Sequence, residues 1–138
     1  MKFRGLAPII ARMNTVTPAG NPLLVPADAI MDYAAVRPEH IQPALRELVA
    51  ESRAAIDAAA ADTRPPTWEN LVEAIEDPSE RLHRAWSVAG HLNSVVNTPE
   101  LREAYNACLP LMSEFSTWVG LHAGLYRRYR ELAAGPAY

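Results

Sequence analysis

From Pro38 onward, apolar residues return every three or four positions, the period of amphipathic helices. Before Pro38 no such period holds. Residues 1–20 read as a disordered leader. Residues 21–37 read as extended chain lying on the rest, because NPLLVP sets Leu23 and Leu24 between prolines that favour extended dihedrals. The first predicted helix opens at Pro38, where a missing N–H costs nothing, and Glu39 complements the positive end of its dipole. Ile41, Leu45, Leu48, Ser52, Ile56 and Ala59 form its buried face, and Arg64-Pro65-Pro66 closes it. Thr67 caps a short second helix with Glu69 in the first turn and Trp68, Leu71, Val72 and Ile75 inward. Asp77-Pro78-Ser79-Glu80 has the pattern of a capping box, so it ends the second helix and starts a third. The third runs to about Val96, with Leu82, Trp86, Ala89, Leu92 or Asn93, and Val96 inward.

The strongest pattern follows Thr98-Pro99-Glu100. Leu101, Tyr105, Cys108, Met112, Phe115, Val119, His122, Tyr126 and Tyr129 form one row at helical spacing. Leu111, Phe115, Trp118, His122, Leu125, Tyr129 and Leu132 form a second. Together they predict one long C-terminal helix from Pro99 to Ala134, about 54 Å at the α-helical rise. Pro110 is expected to kink or split it, and Gly135-Pro136 to end it. No segment alternates as a strand does. The expected class is all-α, antiparallel helices with one long C-terminal helix. Three shorter, alanine-rich partners cannot cover so wide a face, so part of it is expected to pack on protein outside this chain.

Composition agrees. The 138 residues allow one domain, 24 of them are Ala, and only 31 are Leu, Ile, Val or Phe, so the internal core is thin. A net charge of −3 leaves no electrostatic footprint for nucleic acid. No run approaches the length of a membrane span. The opening MKFRGLAPIIARMN hints at a signal peptide, but its apolar run breaks at Arg12, and a soluble cytoplasmic protein is expected. Cys108 stands alone, which excludes an intrachain disulfide and fits a reducing compartment.

Chemistry is sparse. A helical zinc-peptidase site needs histidines four apart with a glutamate between them. None of His40, His83, His91 and His122 is followed by Glu, and no two are four apart. Cys108 sits mid-helix on the apolar face as a small filler, and no serine has a glycine-framed elbow. Arg127, Arg128 and Arg130 could grip an anion, but a solvated helix end accounts for them. No catalytic and no metal-ligating residue is assigned. Two polar interruptions remain. His91 and Asn93, with Ser94, either line a cavity or are helix-end groups satisfied by backbone. Glu114 and Trp118, in SEFSTW, suit a substrate groove or an interdomain interface.

Four blocks carry a family resemblance: NPLLVP at 21–26, RPEHIQPAL at 37–45, TWENL at 67–71 and HLNSVVNTPELREAYNACLPLMSEFSTWVGLHAGLYRRY at 91–129. They are similar to the N-terminal region of oligopeptidase A-like members of the thimet oligopeptidase family. The resemblance covers residues 21–138 and implies an N-terminal helical domain of a larger, mostly helical, two-lobed peptidase with a deep channel. It implies zinc in the full-length parent but none held by this segment, because the zinc ligands lie downstream. It implies short peptides as the parent's substrates and the downstream catalytic domain of the same polypeptide as partner, with no nucleic acid and no membrane. The segment, a truncated piece on this reading, would wall the channel and be inactive alone. Good capping throughout leaves open an alternative, a free-standing helical protein-interaction module.

Overall fold

A computed structural model describes residues 20–136, all helix, turn and irregular chain among the described residues. The leader expected over 1–20 lies, except for Gly20, outside them. A 3-10 turn at Tyr33–Ala35 precedes α1 at Pro38–Ala61. A π-helical turn at Trp68–Glu73 leads directly into α2 at Ala74–Val95, followed by α3 at Pro99–Gly120 and α4 at Ala123–Ala134.

α1 is the hub on which α2, α3 and α4 pack. Every residue of its expected inward face is buried: Ile41, Leu45, Leu48, Ser52, Ile56 and Ala59. The apolar core forms two clusters along it. The larger gathers Leu23, Ile41, Leu45, Leu48, Leu82 and Cys108 at the N-terminal half. The smaller gathers Ile56, Ala59, Leu71, Leu125 and Leu132 at the C-terminal half. Ser52 sits between them, 1% exposed, and its hydroxyl donates to the Pro78 carbonyl at 3.1 Å. That bond meets the rule that a buried polar group needs a partner.

Residues 21–37 do lie on the helices. Leu23, Leu24, Met31 and Val36 are buried. Asn21 Nδ2 donates to the His40 carbonyl at 2.9 Å, and Asn21 Oδ1 accepts from the Leu23 N–H at 3.0 Å. Two α2 arginines hold the same segment: Arg81 donates to the Val25 carbonyl at 3.1 Å, and Arg84 to those of Ala27 and Ala29. The segment is not the extended chain expected. It turns at 22–23, at 27–28 and at Tyr33–Ala35, and the arginines satisfy carbonyls those turns leave free.

The structure corrects four other expectations. Asp77-Pro78-Ser79-Glu80 does not begin a helix, since α2 runs through it. The Thr67 cap is real: its hydroxyl accepts from the Asn70 N–H at 3.2 Å, and Asn70 Oδ1 accepts from the Thr67 N–H at 2.9 Å. Pro110 does not split the C-terminal helix. Each internal proline frees the carbonyl four residues back, and at Pro43, Pro78 and Pro110 that residue is Glu39, Ala74 or Asn106, all exposed. Water can therefore take the freed carbonyl, which offsets the lost hydrogen bond.

The long helix breaks instead at Leu121–His122. The Leu121 N–H closes α3 on the Thr117 carbonyl at 3.0 Å, and His122 Nδ1 caps α4 by accepting from the Leu125 N–H at 3.0 Å. This turn rotates α4, so its buried face is Leu125, Arg128 and Leu132, while Tyr126 is 66% exposed and Tyr129 37%. Finally, Trp68 and Val96, both expected inward, are 54% and 53% exposed at element ends. Leu109 and Leu121, which belong to neither apolar row, are exposed as well.

Candidate functional site

The richest polar and aromatic cluster lies where α1, α3 and α4 meet. His122 ends the α3–α4 turn with both ring nitrogens engaged. Nδ1 accepts from the Leu125 N–H, so the proton of the neutral ring sits on Nε2, which faces Asp57 Oδ1 on α1 at 3.0 Å. The His122 ring meets Trp118 edge-on at 4.9 Å, and Trp118 stacks on Phe115 at 6.1 Å. The Arg53 guanidinium lies over the indole at 4.8 Å, a cation–π contact. The indole's face and edge are thus taken by this chain's own groups, and the cluster has no nucleophile. Chemically it is a helix junction with a hydrogen-bonded imidazole.

The four candidate residues fall in two places. His91 is exposed on α2, its ring edge-on to Tyr33 at 6.2 Å. Asn93 is half-buried, and its Oδ1 has no hydrogen-bond partner among the described residues. Backbone does satisfy Ser94, whose hydroxyl donates to the Gly90 carbonyl at 2.9 Å, but not that Asn93 oxygen. Glu114 is exposed on α3, and Trp118 is half-buried in the junction. No hydrogen bond, ion pair or ring contact among the described residues joins the α2 pair to the α3 pair.

The sequence reading missed Arg128. Grouped with Arg127 and Arg130 as a solvated helix end, it is in fact 4% exposed on the inward face of α4, between Leu125 and Leu132. Its Nη1 donates to the Arg64 carbonyl at 2.8 Å, while Nε and Nη2 have no partner among the described residues. The available signal was spacing, since Leu125, Arg128 and Leu132 lie three and four apart, as an inward face requires.

Beside it, Arg64 donates to Asp62 from its backbone N–H at 2.9 Å and from Nη2 at 2.5 Å. The Arg64 side-chain bonds, then its N–H, hold the Asp62 carboxyl at about 2 instead of the ordinary 3.8. A depressed carboxylate contributes stability that is present above pH 3.8 and lost as pH falls through about 2. Asp62→Asn should therefore lose that contribution at neutral pH and flatten the acid limb, so that variant and wild type converge as pH falls below about 2. Acid unfolding followed by circular dichroism checks this, and an unchanged acid limb would refute it.

Among the described residues no group of three His, Cys, Asp or Glu side chains could hold a metal. Two histidines already spend a nitrogen on backbone: His40 Nδ1 accepts from the Arg37 N–H at 3.0 Å, and His122 Nδ1 from that of Leu125. These residues do not fit a zinc site. Cys108 is fully buried, and burial pushes its thiol pKa up, against thiolate chemistry. Among the described residues no helix is long and apolar enough to cross a membrane.

Comparison with known proteins points one way. The family model of the neurolysin/thimet oligopeptidase N-terminal domain matches residues 45–138. Oligopeptidase A of Salmonella typhimurium is 47% identical over 118 residues, which cover 86% of this chain and 17% of that protein. Oligopeptidase A of Escherichia coli is 45% identical over 118 residues, with the same shares covered. A probable cytosolic oligopeptidase A of Arabidopsis thaliana is 29% identical over 120 residues, 87% of this chain and 17% of that protein. The chain therefore spans about a sixth of the length of these relatives. No solved structure matches.

Proposed function

Because the chain belongs to the neurolysin/thimet oligopeptidase N-terminal domain family, we propose that it serves as the non-catalytic helical part of a zinc-dependent oligopeptidase. The observation that carries this reading is the 47% identity to an oligopeptidase A over 86% of the chain. The described residues offer no fit for zinc, so the metal and the groups that use it belong to the rest of the peptidase. The substrates are short peptides, the partner is the catalytic domain of the same polypeptide, and the setting is the cytoplasm.

The role of these helices is steric. α3 and α4 form part of the substrate-channel wall and restrict entry to short, unfolded peptides. Trp118 and Glu114 on α3, and His91 and Asn93 on α2, are the wall or interdomain positions we propose. The exposure of His91 and Glu114 and the unpartnered oxygen of Asn93 support that placement.

A chimera tests the reading: this chain replaces the matched 118 residues of Salmonella oligopeptidase A. The expected result is chelator-sensitive cleavage of a ladder of peptides, with Trp118→Ala broadening the range of lengths accepted. A folded chimera that cleaves nothing would count against the assignment. Unchanged length selectivity in a folded Trp118→Ala chimera would remove the channel-wall role. A free-standing helical interaction module is the second reading, favoured by exposed Leu109, Leu121 and Tyr126, and an inactive chimera would turn attention to it.

A further inference from the structure

Arg128 is the polar side chain least satisfied by its surroundings. It lies on the inward face of α4, and only its Nη1 has partners. These are the Arg64 carbonyl at 2.8 Å and, at the 3.5 Å limit of a hydrogen bond, Glu131 Oε2. Nε and Nη2 are buried without an acceptor among the described residues. A guanidinium is charged at every pH a protein survives, so it cannot escape this cost by losing a proton. Leaving buried donors unmet is expensive, and more so for a charged group.

The chain's own acids nearby are committed or badly placed. Asp62 spends both carboxylate oxygens on Arg64. Glu131 is 47% exposed and reaches only the nitrogen that already has a carbonyl. On the outer side of the same helix, α4, Arg127 and Arg130 are exposed and take no ion-pair partner among the described residues. A shallow concavity of about 300 Å³ follows α4, lined by Tyr126, Arg127, Arg130, Glu131 and Ala134. Such a surface is complementary to an acidic one. The relatives supply the second protein surface, since the matched part is only 17% of their length.

We propose that Arg128 is the anchor of an interdomain ion pair, its Nε and Nη2 donating side by side to one Asp or Glu carboxylate from the rest of the peptidase. The inference rests on the reading of the chain as part of an oligopeptidase. Nε with one Nη is the edge of a guanidinium that grips a carboxylate with two parallel bonds. Arg128 positions α4 against the catalytic domain and touches no substrate.

The test is one substitution in two settings, with hydrogen exchange of α4 amides as the readout. In the 138-residue chain, Arg128→Met removes two unmet buried donors together with the Nη1 bond to the Arg64 carbonyl, so α4 exchange should change by less than about tenfold. In the chimera described above the same change breaks a pair and strands the partner carboxylate. There α4 exchange should rise roughly 100-fold, with peptide cleavage chemistry retained. Arg128→Lys keeps the charge but not the paired donors, and should fall between Met and wild type in the chimera. An equal effect of Arg128→Met in both settings, or Lys matching Met in the chimera, overturns the ion pair while leaving the oligopeptidase reading intact. A wild-type chimera that cleaves no peptide overturns that reading, and this inference with it.

Discussion

Truncating Leu48 to alanine is expected to cost about 2–5 kcal/mol of folding stability, in the upper half of that range. Leu48 is 0% exposed and lies in the larger core cluster with Ala44, Ala85 and Ala89. The alanines in that cluster favour the upper half. Alanine has no rotamer to swing into the space left behind, so the cavity stays open and its lining loses contacts outright. α1 also carries α2, α3 and α4, so a void there loosens every packing layer. Urea unfolding followed by circular dichroism measures the effect. Leu109→Ala, at a residue 44% exposed on α3, is the control and should cost less than about 1 kcal/mol. A loss at Leu48 as small as the control would show that the alanine-lined core collapses freely, contrary to this packing.

Replacing His122 by alanine is expected to cost about 2 kcal/mol. Most of that is the lost cap, since removing a side-chain acceptor at a helix start costs about 0.5–2 kcal/mol. The bond to Asp57 adds little, because Asp57 is 64% exposed and water competes for it. The edge contact with Trp118 adds a further fraction. His122→Asn separates the parts, because asparagine is a good cap that cannot reproduce the imidazole's contacts. The asparagine variant should recover more than half of the loss in a thermal or urea melt. If it recovers nothing, the junction is held by the Asp57 and Trp118 contacts and the cap is incidental. Trp118 fluorescence should shift in the alanine variant, since its edge contact is removed.

The same imidazole marks where a sequence reading reaches its limit. His122 belongs to both apolar rows drawn over 99–134, and as a point on a continuous helix it looks inward-facing. Local rules for helix ends single out Ser, Thr, Asp and Asn as caps, and glycine and proline as breakers. Gly120 was therefore a weak signal and Pro110 a strong one, yet the break falls after Gly120 and α3 passes through Pro110. The deciding fact is tertiary. Asn106, whose carbonyl Pro110 frees, faces solvent, and His122 finds both the Leu125 N–H and Asp57 within 3.0 Å. Pro78 follows the same logic, with Ala74 exposed and the Pro78 carbonyl taken by Ser52.

The candidate site was legible only in outline. His91, Asn93, Glu114 and Trp118 were visible as polar or aromatic breaks in apolar rows, and nothing local could say what surrounds them. Trp118 is occupied by Arg53, Phe115 and His122, drawn from α1, α3 and the α3–α4 turn. Arg128 was missed because a run of three arginines near a helix C-terminus is what a solvated end displays. Helical spacing alone puts it on one face with Leu125 and Leu132, and that face is the one α4 buries.

By itself the sequence determined what repeats locally: an all-α chain, the bounds and buried face of α1, the caps at Thr67 and Thr98, and, through its long similar blocks, the family. Helix period, proline at the first turn and cap chemistry act over a few residues, so they can be read along the chain. Only the tertiary structure decided where prolines are harmless, where the last helix turns, how Arg81 and Arg84 hold residues 21–37, and which arginine is buried. Those outcomes depend on whether a carbonyl faces water or protein, and on side chains 26 to 65 residues apart meeting, as Ser52 meets Pro78 and Asp57 meets His122. Helical period encodes which face is buried, but the exposure of a single carbonyl or side chain belongs to the assembled molecule.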